Sequence, residues 1–360
     1  MTTPLKVGLI GAGGVAGLHL PAYLHHHERV VVTAVCDAAE EAAHRRAAEV
    51  TGAAVFTDFA RLLAEADIDA VDICTIPDLH APMTIAAAQA GKHVLVEKPM
   101  ACSLAECQAM VAAAERAGVT LMVGQMQRYD PSYRGLRKLI QAGELGTIRA
   151  VRLDAMQNGP DGMSHAAWLL DGRRAGGGVV ISVAVHKLDL MRYLLGEIAR
   201  VTAVTRQAHP AFHHGAEDYA CAILEFENGA IGELFATYSG FRQPWGEMFM
   251  IFGDDGAVHA VPPFGAYTGP AWVATRRRTP TLQSWWAMFN DFAPVEPEAG
   301  ALPSNDPYVN EILHFAHCCA AGEEPLSSGR DNLGTMAAIF AIYESARRGE
   351  PVLTAELLAD

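Results

Sequence analysis

A chain of 360 residues, 51% hydrophobic and 19% charged, is long enough for two packed domains and too apolar to be disordered. Its lysines and arginines against its aspartates and glutamates give 27 − 41 = −14, a charge that repels phosphate backbones and anionic lipid faces. Nucleic-acid and membrane-surface partners are therefore not expected.

The first residues, Met1-Thr2-Thr3-Pro4-Leu5-Lys6, place no basic region ahead of an apolar core, so no export signal is expected. The apolar stretch 7–18 is broken by glycines, and no uncharged run reaches the length of a membrane span. Strands are predicted at 6–10, 30–36, 70–76, 93–97 and 120–123, alternating with helices at 15–25, 39–50, 59–66, 83–90 and 103–117. Apolar runs alternating with helices predict a doubly wound parallel sheet. Gly91 and Gly118 stand where helices should end.

After residue 124 the pattern changes. Strands are predicted at 148–156, 201–205, 218–226, 231–239, 248–252 and 257–261. Asn228-Gly229 and Asp255-Gly256 separate paired runs, which reads as antiparallel hairpins. Helices are predicted at 133–141, 185–195, 308–321 and 332–347. The stretch 262–307, rich in Pro and Trp and carrying Arg276-Arg277-Arg278, reads as an irregular cover. That arginine run suits either an anionic substrate or a solvated face.

The seven cysteines, Cys36, Cys74, Cys102, Cys107, Cys221, Cys318 and Cys319, are odd in number and form no CxxC pair. They predict a reduced, cytoplasmic chain. No Cys/His spacing suits a metal, and His25-His26-His27 reads as the polar end of a helix.

Gly11-Ala12-Gly13-Gly14-Val15-Ala16 fits GxGxxA directly after a strand and at the opening of a helix. The glycines allow a tight turn and close approach of backbone to a diphosphate, and Ala16 allows helix and sheet to pack. The next strand ends at Asp37, whose carboxylate can accept from both adenosine ribose hydroxyls and repels a 2′-phosphate. No Arg follows it, which favours NAD over NADP. Glu97-Lys98-Pro99 closes a later strand, where ligands of such sheets bind. There a desolvated Lys98 can move a proton or stabilise an alkoxide.

These residues together resemble the Gfo/Idh/MocA family of glucose-fructose oxidoreductase, inositol dehydrogenase and rhizopine-catabolism proteins. The resemblance runs through Thr75-Ile76-Pro77-Asp78-Leu79-His80, residues 91–99, 124–131, Gly176-Gly177-Gly178, His186-Lys187-Leu188-Asp189-Leu190 and residues 341–349. It implies an N-terminal Rossmann domain over 1–124 that binds NAD(P). It also implies a C-terminal α/β domain over 125–360, with an open, mostly antiparallel sheet, that holds substrate and builds the oligomer. The final helix is expected to pack back on the first domain. The implied substrates are sugars and cyclitols. Lys98 is placed near the reacting carbon, Glu97 near the nicotinamide ribose, and Thr75, Pro77, His80 and Gln125 along the cofactor.

The same resemblance makes His186 the acid or base. Arg128, Tyr129, Trp168, Ser182 and Asp189 complete the expected substrate contacts. Trp168 suits a core position equally well, and Asp189 can bind a hydroxyl, orient His186 or simply pack. Two departures stand out. Ser182 occupies the position of the family's frequent Asp, and Met126 that of its Asn. A carboxylate and an amide are thus missing from the expected site.

Three functions follow in order of preference. The first is a dehydrogenase or reductase of a sugar or cyclitol derivative, with NAD as hydride carrier and Lys98 or His186 as base. The second is an NAD-retaining glycosidase or epimerase that oxidises its substrate transiently. The third is a non-catalytic sensor of sugar or NAD. An open sheet with one bare face calls for a partner, so a homodimer or homotetramer is expected.

Overall fold

The computed structural model describes residues 3–50, 52–157, 159–160, 163–239, 246–261, 269–277, 292–298 and 303–359. It divides into two compact units, Met1–Tyr129 with Pro303–Leu333 and Asp130–Leu302 with Gly334–Asp360.

In the first unit β1 (Leu5–Ile10), α1 (Gly14–His25), β2 (Val30–Cys36), α2 (Glu40–Ala47), β3 (Ala54–Phe56) and α3 (Phe59–Glu65) come first. They are followed by β4 (Ala70–Ile73), α4 (His80–Gln89), β5 (His93–Glu97), α5 (Leu104–Ala117) and β6 (Leu121–Gly124). Residues 7–10, 70–73 and 121–124 are buried throughout, as strands covered on both faces must be. The six strands run parallel in the order β3-β2-β1-β4-β5-β6. Strand β3, three residues long with an exposed first position, carries too short a pattern to be read from sequence. Local chemistry sets the helix ends. Ser103 accepts the Glu106 N–H at the start of α5, and Gly118 ends it with φ +66°.

The second unit holds α6 (Pro131–Gln141), β7 (Ile148–Met156), α7 (Gly172–Ala175), α8 (Val185–Leu195), β8 (Ile198–Arg206), β9 (Tyr219–Phe226) and β10 (Ile231–Thr237). Strands β11 (Gly246–Gly253), β12 (Gly256–Ala260), β13 (Ala271–Thr275) and β14 (Ala293–Pro294) follow. The chain then forms α9 (Pro307–Ala321), which belongs to the first unit, and α10 (Gly329–Arg348). It ends with β15 (Val352–Leu353) and α11 (Thr354–Ala359) in the second unit.

The nine strands of the second unit lie in the order β14-β13-β12-β11-β7-β10-β9-β8-β15, antiparallel except for the β7–β10 pair. Both predicted hairpins are present, with Gly229 at φ +86°. Burial alternates along β9 and β10. Across the sheet, Val204, Ile223, Ile231, Phe252 and Trp272 are each more than 40% exposed. The stretch 262–307 contains β13 and β14 at the sheet edge, while 262–268, 278–291 and 299–302 lie outside the described residues. Arg276 pairs with Asp255 at 3.0 Å and Arg277 with Glu144, so these two arginines serve surface ion pairs.

The chain first crosses between the units after Tyr129, and 303–333 is the segment that returns to the first unit. Helix α9 opens with Asp306 accepting the Tyr308 N–H at 2.9 Å and packs on α1. Its Val309, Ile312, Leu313 and Phe315 share one core with Val7, Leu9, Ala16 and Leu20. Among the described residues no helix is long and apolar enough to cross a membrane.

Candidate active site

Strands β1 and β4 end side by side where the strand order reverses, the place at which such sheets bind ligands. Gly11 has φ +89°, and a Cβ there would stand 2.6 Å from the Cys74 carbonyl oxygen, so only glycine lets the turn pass. Gly13 and Gly14 have open space where a Cβ would be. Gly13 caps α1 with no side-chain acceptor, which leaves the first-turn amides and the positive end of the helix dipole to a ligand. Val15 is 38% exposed beside them, whereas Ala16 is fully buried against the sheet.

The Asp37 carboxylate is fixed at the tip of β2. It accepts the Ala12 N–H at 2.7 Å and the Ala39 N–H at 2.8 Å. Arg46 of α2 donates to the Gly13 carbonyl at 2.8 Å and pairs with Glu49 at 2.6 Å, so it braces the glycine turn from beneath. No spacing rule pointed to it. Gln125, beyond the end of β6, is buried, and its Nε2 has no hydrogen-bond partner among the described residues. An open helix N-terminus, a fixed carboxylate and an orphaned buried amide at one sheet edge suit a dinucleotide.

Glu97 ends β5, buried, and its Oε2 accepts the Lys98 N–H at 3.0 Å. A Cβ on Gly124 would stand 3.0 Å from Glu97 Oε1, so a glycine at the end of β6 makes room for this carboxylate. The Lys98-Pro99 peptide is cis, and Lys98 is half-buried. Pro77 is buried at the start of a 3-10 turn, Pro77–Leu79. His80 has no exposed surface. Its Nδ1 lies 2.8 Å from the Pro99 carbonyl and its Nε2 3.1 Å from that of Thr75. Burial lowers its pKa against the pull of those carbonyls. His80 thus ties together the loops that follow β4 and β5.

In the second unit a glycine triplet leads into a buried π-helical turn, Val180–Ala184, continuous with α8. A Cβ on Gly177 would stand 2.2 Å from the Tyr343 hydroxyl, and one on Gly178 1.8 Å from the Glu217 carbonyl oxygen. Glu217 is buried and accepts the N–H groups of Gly178 at 2.7 Å and Val180 at 2.8 Å, and the Tyr343 hydroxyl at 3.2 Å. The Tyr343 oxygen in turn accepts the Ile181 N–H at 3.2 Å. Burial pushes the Glu217 carboxyl up to about 7, while the amide donors pull the other way. Glu217 thus caps the helix that carries Ser182 and His186, a role no motif announced.

Ser182 and His186 lie one turn apart, both buried. The Ser182 hydroxyl bonds the Gly178 carbonyl and lies 2.7 Å from the Tyr238 hydroxyl. Expected to meet a substrate hydroxyl, it has two protein partners of its own. Asp189 accepts the Thr335 hydroxyl at 2.8 Å and is 1% exposed, which favours the packing role among those left open for it. Lys187 and Glu247 form a fully buried pair at 3.4 Å, and burial lowers the Lys187 pKa while Glu247 opposes it. Trp168 is half-buried in the 3-10 segment Ser164–Leu170.

Two expected substrate contacts, Arg128 and Tyr129, lie buried among protein partners. Arg128 is buried, donates to the Leu326 carbonyl at 2.7 Å and pairs with Asp331 at 2.6 Å. Tyr129 has no exposed surface, and its hydroxyl lies 3.1 Å from Ser327 Oγ. Both knit the turn after β6 to the returning segment 303–333 inside the first unit. Met126, in the same turn, is buried at 3% exposure. Lys98 belongs to the first unit and His186 to the second.

Comparison with known proteins accords with this geometry. A family model described as "Oxidoreductase family, NAD-binding Rossmann fold" matches residues 5–125, and the "GFO/IDH/MocA C-terminal domain" matches 133–259. The D-apiose dehydrogenase of Paraburkholderia graminis is 32% identical over 99% of this chain and 91% of its own length. The scyllo-inositol 2-dehydrogenase (NAD(+)) of Bacillus subtilis is 29% identical over 81% of this chain and 79% of its own. A levoglucosan dehydrogenase solved with NADH and levoglucosan superposes with a TM-score of 0.85 at 27% identity, covering 98% of this chain and 99% of that one. With both of its units matched, the chain belongs to the Gfo/Idh/MocA family of oxidoreductases with an NAD-binding Rossmann domain.

Proposed function

We propose that this protein transfers hydride between NAD and a secondary alcohol or ketone of a sugar or cyclitol derivative. The observation that carries this reading is the placing of Glu97-Lys98 and the open glycine turn at the same carboxyl edge of one parallel sheet. Bound NAD supplies the hydride acceptor or donor. Gly13, Gly14 and the α1 amides hold its diphosphate, Asp37 accepts from the adenosine ribose, and Thr75, Pro77 and Gln125 line the remainder. The Asp37 carboxylate repels a 2′-phosphate, so NAD is preferred to NADP.

Lys98 supplies positive charge to the substrate oxygen as the alcohol loses its proton. His186 takes or returns that proton, a task for which imidazole is suited near neutral pH. With Ser182 in place of a carboxylate and engaged by Gly178 and Tyr238, His186 works without an anion one turn before it. That favours a substrate recognised differently from inositol.

The bare, partly apolar face of the nine-stranded sheet supports a homodimer or homotetramer. Seven free cysteines support a reducing compartment, the cytoplasm. Purified protein with NAD and a panel of aldoses, anhydrosugars and cyclitols should yield stoichiometric NADH by absorbance for at least one member. A panel without any signal, in either direction, removes this reading. Product formed without net NADH would move the protein to the NAD-retaining class.

A further inference from the structure

His19, inside α1, has no exposed surface, and three carboxylates surround it within the first unit. Its Nδ1 lies 2.8 Å from Asp72 Oδ2 on β4, and its Nε2 lies 3.2 Å from Glu97 Oε1 on β5. Glu311 of α9 offers an oxygen within 4.8 Å of both His19 and Glu97. The other polar groups facing the ring are Tyr23, which donates to Asp72 at 2.7 Å, and Cys74, 3.6 Å from Nδ1. The Tyr308 ring lies 5.6 Å away.

A neutral imidazole has one N–H and one lone pair, so it cannot donate to carboxylates on both sides. An imidazolium can, and it places a cation between acids that would otherwise repel one another in a dry interior. Burial by itself lowers the pKa of this ring. The Asp72 carboxylate, through its charge and its hydrogen bond, outweighs it, so the pKa lies well above the ordinary histidine range.

The bridge reaches the proposed chemistry in one step, because the second Glu97 oxygen accepts the Lys98 N–H. We propose that His19 is a positioning residue for the reaction. As an imidazolium bridging Asp72 and Glu97 it holds the Glu97 carboxylate in place, and through the Lys98 N–H it fixes the backbone that carries Lys98. The proposal deepens, and rests on, the reading of Lys98 as the group that meets the substrate oxygen.

Two measurements test it. The first needs no substrate. Nitrogen-15 NMR of histidine-labelled protein at about pH 8, well above the pKa of a free imidazole, should show one ring with both nitrogens protonated, absent from His19→Gln. Only neutral rings would overturn the proposal.

The second compares wild type, His19→Gln and Tyr23→Phe in NADH binding and in turnover of the substrate found on the panel. His19→Gln should keep NADH affinity and KM within a few-fold while kcat falls about 10²-fold, the scale of a misplaced reacting group. Tyr23→Phe, which keeps the ion bridge but loosens Asp72, should lose less in the same direction, and it carries the test if His19→Gln does not fold. Unchanged kcat overturns the proposal. Should the wild type turn over nothing on the panel while the NMR signature is present, the functional reading falls and the ion bridge stands.

Discussion

At Gly178 a single methyl group decides whether the second unit can form as described. A Cβ there would sit 1.8 Å from the Glu217 carbonyl oxygen, which is backbone and cannot swing aside. Gly178→Ala should therefore cost more than about 3 kcal/mol in chemical denaturation, well above a typical point substitution. A loss under about 1 kcal/mol would show that the triplet is looser than its geometry. Lys98→Ala tests chemistry instead of packing. Turnover should fall about 10²–10⁴-fold, the usual share of a proton-transferring group, while NADH affinity, followed by fluorescence, stays within a few-fold. Unaltered turnover would take Lys98 out of the mechanism. Residues of this kind were legible because their roles are local: a glycine turn after a strand, an acid at the tip of the next, a lysine at the end of another. His19, Arg46 and Glu217 were not. His19 meets Glu97 across 78 positions and Glu217 meets Gly178 across 39, and no periodicity records such encounters. Arg128 and Tyr129 hid their partners for the same reason. They follow a cofactor strand, yet their partners lie almost two hundred positions later.

At the level of elements, the π-helical turn and α8 depend on a carboxylate that titrates near neutrality. The Glu217 carboxyl is raised from 4.5 to about 7 in the folded protein. A raised pKa means that the folded state holds the proton more tightly than the unfolded chain. Its stability contribution is thus complete below about pH 4.5 and is lost as pH climbs through 7. The full change is on the order of 3 kcal/mol. In Glu217→Gln the proton-linked slope should vanish from thermal melts between pH 4.5 and 7, even though the variant is less stable throughout for want of one acceptor. Parallel curves for the two proteins would reject this assignment. Strand and helix positions were read well wherever burial had a clean period. The short β3, β14 and β15 escaped because two or three residues leave no period to detect, and β13 lay inside the stretch read as an irregular cover.

For the whole molecule, the outer face of the large sheet mixes apolar side chains with ion pairs such as Arg200–Glu225 at 2.6 Å and Arg152–Glu233 at 3.1 Å. Ile223, half exposed on that face, is the position to challenge. The wild type should sediment as a dimer or tetramer at micromolar concentration, and Ile223→Glu should shift it toward monomer without loss of secondary structure. A monomeric wild type would end the oligomer proposal. Fold class was open to sequence reading because two different alternations occupy two halves of the chain. The return of 303–333 to the first unit was hidden, since a helix pattern does not say which core it serves. That return also orders events in time. During synthesis the ribosome releases the six parallel strands long before α9, so the nascent nucleotide-binding unit waits with the flank of α1 bare while the other sheet is being made. A fragment ending at residue 129 should aggregate or fail to retain NADH, and a permuted gene that brings 303–333 directly behind it should rescue solubility. A chain that stops short of α9 therefore leaves the α1 side of that core uncovered.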